Sequence, residues 1–340
     1  ELVTVEPRYF RLWYEMAVAQ LASGDEDAYQ QTCERMIERF VGTNAPIVAE
    51  FVTWTSCLSP RFKRDWAREL ALAAELYDDS ESSMTAHRTL GAALLRAGLY
   101  EESIAALENA EESVEQDHQR TSSDYHLYLR AISHAHLGDM VKAHECLDQT
   151  QELADVETNA VNQAMPWFRR ATLTVLRHEC EQLLNGPNKV DRGTQPSDLQ
   201  RRLAQGLRTC SRAIELKPDI PVLYELRAGI HRQLRQTRQA EADLARAENL
   251  KKASRLRRLN RLIGSSGNLD RHFLRLERAR YHFQETQDFD KALDDCHTVL
   301  EGPNVLSPEA LQLFFEIHEA RGTLDVCHKQ WPAKLGSPPP

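Results

Sequence analysis

The chain is poor in glycine and proline, with 14 of each in 340 residues. A sandwich or barrel of many short strands needs such turn residues at regular intervals, so their scarcity argues against one. No stretch approaches 18 uninterrupted apolar residues, which excludes a membrane-spanning helix. The seven cysteines (33, 57, 146, 180, 210, 296 and 327) are odd in number and include no CxxC pair. Disulfide and metal frameworks show paired spacing, so these are expected to be reduced, buried, structural thiols in a cytoplasmic protein. There is no GxxxxGK[ST] phosphate loop, no GxGxxG and no GxSxG. Neither catalysis, cofactor nor metal is expected. The opening Glu1-Leu2-Val3-Thr4 has neither Met nor a basic-then-apolar leader, from which a trimmed chain or an excised piece of something longer is expected.

What is present is a helix-forming composition. Ala, Leu, Glu, Arg and Gln dominate, apolar residues make up 41%, charged residues 27%, and mean hydropathy is -0.54. The net charge of -9 hides an asymmetry. Residues 101–157 hold 14 acidic side chains against three basic ones, whereas 192–261 hold 17 Lys and Arg against seven Asp and Glu.

A period of about 34 residues organises the chain. Its clearest unit runs Thr89-Leu90-Gly91-Ala92-Ala93-Leu94-Leu95-Arg96-Ala97-Gly98-Leu99-Tyr100 into Ser103, Leu107 and Ala110. Others read Ala131…Leu137-Gly138-Asp139…Ala143…Leu147, Tyr224…Ala228…Ala240…Leu244…Ala247, and Leu276…Phe283…Phe289…Ala292…Cys296. Each predicts two antiparallel helices in close contact: a small residue in the first helix (Gly91, Ala131, Ala228), a small residue early in the second, and a tight turn at Gly98 or Gly138. One hairpin cannot bury its own apolar face, so the next must stack on it.

These residues resemble the tetratricopeptide repeat, in a register giving units of about 84–117, 124–157, 187–220, 221–254 and 273–306, with Pro218 at the family's closing proline. The resemblance implies an all-α, right-handed solenoid of antiparallel hairpins. Trp13, Ala17, Leu21 and Gly24-Asp25 read as a divergent first hairpin with Ala28 to Phe40; 44–58 and 63–77 supply two further helices starting near Pro46 and Pro60, with Trp54, Leu58, Trp66, Leu70 and Leu76 buried. Together with the Gly24-Asp25…Tyr29…Cys33…Phe40 block and Thr89 to Leu94, this N-terminal part is similar to the helical-repeat regions that follow kinase-like or β-propeller domains in large planctomycete proteins. That likeness implies a regulatory or scaffolding module without activity of its own. The expected divisions are 1–80, 81–184 (ending in a long helix from about 160), 198–262, 271–331 and a disordered tail at 332–340. Joints are placed at 185–197 and 263–270, and a last helix at 308–321.

The place of each candidate site residue in the repeat decides its reading. Cys33, Cys210 and Cys296 share one slot of the second helix, that of Leu107 and Leu244, and Cys146 falls one residue earlier; a small buried hydrophobe fits there better than a nucleophile. His134 and His136 stand two apart on a helix and His178-Glu179-Cys180 lacks a second histidine, so neither has metal-ligand spacing. In the resemblance, first helices line a concave groove, and some members grip a C-terminal carboxylate there with Lys and Asn. Here the matching positions hold Arg88 and Ala92, then Tyr128 and Ile132, so that clamp is absent; the groove candidates are Arg88, Tyr128, Arg227 and His231. A basic surface is placed at Lys251, Lys252, Arg255, Arg257, Arg258 and Arg261, with Leu256, Leu259 and Ile263 turned inward. The partner is expected to be another protein or another domain of the same chain. The alternatives are a regulatory arm of a kinase-like or signalling protein, and nucleic-acid binding by the basic 192–262 half, for which a net charge of -9 is poorly suited.

Overall fold

The computed structural model describes residues 9–40, 46–60, 65–79, 83–117, 123–159, 165–185, 196–265, 267–302 and 307–324. Cys327, the 332–340 tail and most of the 185–197 joint lie outside them. The described residues form fifteen α-helices and no strand: α1 (Phe10–Ala22), α2 (Glu26–Phe40), α3 (Pro46–Ser56), α4 (Ala67–Asp79), α5 (Met84–Ala97), α6 (Tyr100–Asp117), α7 (Ser123–Leu137), α8 (Met140–Asn159), α9 (Trp167–Asn185), α10 (Pro196–Leu216), α11 (Pro221–Gln233), α12 (Thr237–Ser265), α13 (Asn268–Tyr281), α14 (Phe289–Leu300) and α15 (Pro308–Arg321). The chain divides into two compact units, Glu1–Ala247 and Glu248–Pro340.

The hairpins fall where the 34-residue register puts them: α5 with α6, α7 with α8, α11 with the start of α12, and α13 with α14. Gly98 ends α5 in the left-handed region at φ 79°, and the amide of Leu99 donates back to the Leu94 carbonyl at 2.9 Å. A Cβ on Gly91 would stand 2.6 Å from Leu107 Cγ, so the absence of a side chain is what lets α6 approach α5. Two expectations shift. The helix expected from residue 63 begins at Ala67, leaving Pro60 in a turn after α3 rather than at a helix start. Of the long helix expected from about 160, the structure describes Trp167–Asn185, preceded by the non-helical Met165-Pro166; 160–164 lie outside the described residues.

In the first unit the odd-numbered helices α1, α3, α5, α7 and α9 pack each on the next, and α9 then packs back on α1. The even-numbered helices lie outside: α2 against α1 and α3, α4 against α3 and α5, α6 against α5 and α7, and α8 against α7. A linear stack brings together only neighbouring repeats; here a closed cycle of contacts joins residues 158 apart, through a 2.9 Å bond between Tyr14 Oη and Thr172 Oγ1. The face of α9 that closes the cycle is a helical stripe of Thr172, Leu176, Cys180 and Leu184, all buried. Outside this cycle α10 packs on α4, and it also meets the turn between α5 and α6, where a Cβ on Gly206 would stand 2.6 Å from Leu99 Cδ2.

The second unit holds the last part of α12 with α13, α14 and α15. Its core is Leu276, Ala279, Ala292, Leu293, Cys296, Val299, Leu300, Ala310, Leu313, Phe314 and Ile317. A turn of π-helix, His282–Thr286, ends α13. Asp288 caps α14 by accepting from the Lys291 amide, and Ser307 caps α15 by accepting from the Ala310 amide.

Candidate functional site

The inward faces of the odd helices are filled with side chains. Arg88, on α5, lies between the rings of Trp54 at 4.8 Å and Tyr125 at 5.4 Å, and its Nη2 donates to Glu50 Oε1 at 3.3 Å. It is 8% exposed. Burial lowers the Arg88 pKa more than Glu50 restores it, and burial likewise raises that of Glu50. The aromatic faces make up part of the lost hydration. Tyr128 is also buried, on α7.

One end of the cycle is closed by a second arginine. The Arg96 guanidinium at the end of α5 meets both carboxylate oxygens of Glu179 on α9, at 2.6 and 2.8 Å. It also donates to the carbonyls of Cys57 at 2.7 Å and Leu58 at 3.4 Å, just past α3. The two side chains are 4% and 8% exposed. Burial works to lower the Arg96 pKa, but the charge and hydrogen bonds of Glu179 carry it above its ordinary value. Three helices that share no turn are tied at one guanidinium.

Arg227 and His231 meet at one acid. Arg227 forks onto Asp243 at 2.7 and 2.6 Å, joining α11 to α12, and the ring of His231 bonds Gln236 at 2.6 Å while its other nitrogen stands 3.8 Å from Asp243. Arg278 and Asp295 repeat that fork between α13 and α14, at 2.7 and 2.7 Å. A hairpin clasp of the same kind thus recurs in both units, with the acid at one repeat position (Asp243, Asp295) and the arginine shifted by one residue.

The predicted basic surface lies on the last turns of α12, in the second unit. Lys251, Arg255, Arg257, Arg258 and Arg261 are exposed and Lys252 is partly so, while Leu259 and Ile263 are buried and Leu256 partly buried. Part of this charge is met locally: Lys252 pairs with Glu285 at 3.1 Å and Arg255 reaches Glu277 at 3.8 Å. Beside it Phe273 on α13 is 63% exposed, a feature an ordinary apolar position in the repeat did not announce.

The acidic stretch forms no single free surface. Glu101 of α6 accepts from Arg202 of α10 at 2.9 Å, so the acidic and basic stretches meet within the first unit. A cleft of about 560 Å³ between α6, α7 and α8 is lined by Glu101, Glu108, Arg130, His134, Asp139 and Lys142 among others. Arg130 pairs across it with Glu108 at 3.4 Å, and Lys142 pairs locally with Asp139 at 3.6 Å.

The six described cysteines are buried thiols. Burial pushes those of Cys180, Cys210 and Cys296 up to about 12, so they are neutral and unreactive near pH 7. His136 stacks on Tyr100 at 4.6 Å and His178 bonds Gln182 at 2.8 Å. His126 is different. It has no exposure on α7, neither ring nitrogen meets a hydrogen-bond partner, and burial followed by the charges of Arg88 and Arg130 lowers its pKa to about 3. Among the described residues no group of three or more His, Cys, Asp or Glu is placed to hold a metal ion, and no helix is long and apolar enough to cross a membrane.

No protein-family model matches the chain, and no curated protein matches it. Among solved structures, a tetratricopeptide repeat protein from Parabacteroides merdae ATCC 43184 aligns over 91% of this chain and 98% of its own, at 11% identity and a TM-score of 0.27. So distant a match adds nothing to what the hairpins themselves establish: an all-α chain of antiparallel helical pairs in a 34-residue register.

Proposed function

We propose that this chain is a non-catalytic protein-interaction scaffold or adaptor that recognises its partner with the outer faces of its helices. The observation that supports this reading is the exposed row of basic side chains on the last turns of α12. It lies on regular helix rather than in a cleft, an arrangement suited to steering and docking a charged macromolecule. The inner faces are a poorer candidate, since Arg88 and Tyr128 are buried among their neighbours. The partner is a separate cytoplasmic protein or another domain of the same polypeptide, including a kinase-like domain of the sort the sequence resemblance implies.

The test is affinity purification of the full protein from its host at physiological salt, with mass spectrometry of what is retained. A reproducible protein partner, captured again by the purified chain in isolation, is the expected result. Failure to recover any partner across repeated captures and cross-linking would overturn the reading.

A further inference from the structure

The scaffold reading leaves open which face binds and what chemistry it takes; the inference below rests on that reading and narrows it. On α12 and α13 the residue numbers run in opposite directions across the contact: Tyr281 Oη donates to the Lys252 carbonyl at 2.6 Å, and Arg255 reaches Glu277 at 3.8 Å. Phe273 precedes Glu277 by about one helical turn, so antiparallel packing brings it level with the residue one turn beyond Arg255, which is Arg258. Leu262 follows Arg258 by another turn on the same face of α12.

Four side chains therefore share one two-helix face. Arg255 has a side chain 55% exposed, Arg258 is exposed, Leu262 is 37% exposed and Phe273 is 63% exposed. Beneath them Leu259 and Ile263 fill the packed side of α12 and hold the face rigid. Exposed single hydrophobes are common, but here two large apolar side chains stand beside two cations on adjacent helices.

We propose that this face docks an acidic amphipathic helix from a partner protein. An apolar side chain of that helix would lie across Phe273 and Leu262, and carboxylates three or four residues away would meet Arg258 and Arg255. The segment 251–263 carries six basic residues and no acid, so charge complementarity sets the sign of the partner. A nucleic acid fits less well. Single strands are bound by successive aromatic platforms, whereas Phe273 stands as one ring between Asp270 and Glu277 along its helix. A chain of net charge -9 also repels a polyanion of high charge density more than it does a short helix.

The experiment uses the whole chain and a fluorescent synthetic helix of about 20 residues with paired Leu flanked by Glu, read by anisotropy. We expect binding that weakens about tenfold between roughly 50 and 300 mM salt. Arg255→Glu with Arg258→Glu should weaken it at least about tenfold and flatten that salt dependence, whereas Phe273→Ser should weaken it about fivefold or more with the dependence intact. Arg201→Glu, an exposed reversal on α10, serves as the charge control and should change little. Phe273 is mostly exposed, so its substitution leaves the fold in place, as circular dichroism would show.

No binding of the peptide, binding by both variants as tight as by the wild-type chain, or displacement of the peptide by a single-stranded oligonucleotide of similar affinity would each overturn the proposal. The variants also separate it from the broader reading. If the wild-type chain and a chain carrying Arg255→Glu, Arg258→Glu and Phe273→Ser together both capture the same host partner, this face is not the dock and the scaffold reading stands; if neither captures one, the scaffold reading itself fails.

Discussion

Glu179→Gln removes one charge from the buried tie between α9 and α5 while preserving its shape. The amide can accept one of the two guanidinium bonds now made at 2.6 and 2.8 Å, but its nitrogen faces a donor, and Arg96 is left as a buried cation with only the Cys57 and Leu58 carbonyls in support. Removing one member of a buried pair costs about 3–5 kcal/mol, because the survivor keeps its desolvation penalty without its counter-charge. Set against a total stability of about 5–15 kcal/mol, that is a large share. Equilibrium urea unfolding followed by tryptophan fluorescence reads the first unit well, since Trp13, Trp54, Trp66 and Trp167 all belong to it. With a slope of about 2–3 kcal/mol per molar urea the midpoint should fall by about 1–2 M. The double substitution Arg96→Met with Glu179→Leu removes both charges and should recover much of the loss, giving a coupling energy of about 2 kcal/mol or more. A single-variant loss below about 1 kcal/mol, or a double variant as unstable as the sum of its parts, would refute the claim that this pair ties α9 to α5.

Two other perturbations test the interior. His126 is neutral in the fold with a pKa of about 3 and titrates near 6.5 when unfolded. Because the folded pKa is depressed, its contribution is intact above pH 6.5 and is lost as pH falls toward 3, at about 1.4 kcal/mol per pH unit. His126→Phe should leave stability at pH 7.5 unchanged or improved, since it also removes two unsatisfied nitrogens, and should flatten the decline below pH 6.5; urea midpoints that differ from wild type by a constant at every pH would contradict the assignment. Gly91→Ala sets two effects against each other. Helix propensity favours alanine by about 1 kcal/mol, but the new Cβ would stand 2.6 and 2.7 Å from Leu107 carbons, a clash worth about 1–3 kcal/mol in a packed core. A net loss is expected in thermal unfolding, and Leu107→Val in the same chain should relieve part of it.

Much of the local structure is legible in the residue pattern. Gly91 and Gly98 announce a close helix pair and its turn, and the structure has both where a side chain would clash or strain. The burial of Cys33, Cys210 and Cys296 follows from their shared slot in the second helix. Glycine was a partial guide to the turns, however. The α11–α12 and α13–α14 hairpins turn instead through Arg235 at φ 58° and Gln287 at φ 53°, non-glycine residues that the surrounding packing holds in the left-handed region. The basic face was visible as a run of charge, but its apolar half was not, because Phe273 sits on a different helix and only antiparallel packing brings it level with Arg258.

What the sequence determined by itself is therefore much of what depends on contacts within one repeat: the helices, the glycine turns, the small residues, and the slot that Cys33, Cys210 and Cys296 share. These are encoded at separations of a few to about 34 residues, where periodicity reports on packing directly. The tertiary structure alone decided that the inner helices close on one another, burying Arg88 and Tyr128. That outcome rests on Tyr14 meeting Thr172 and Arg96 meeting Glu179, pairs 158 and 83 residues apart with no spacing rule to link them. Closing a long loop adds only slowly to its entropic cost, so a few well-paired side chains on α9 suffice to bring it back to α1.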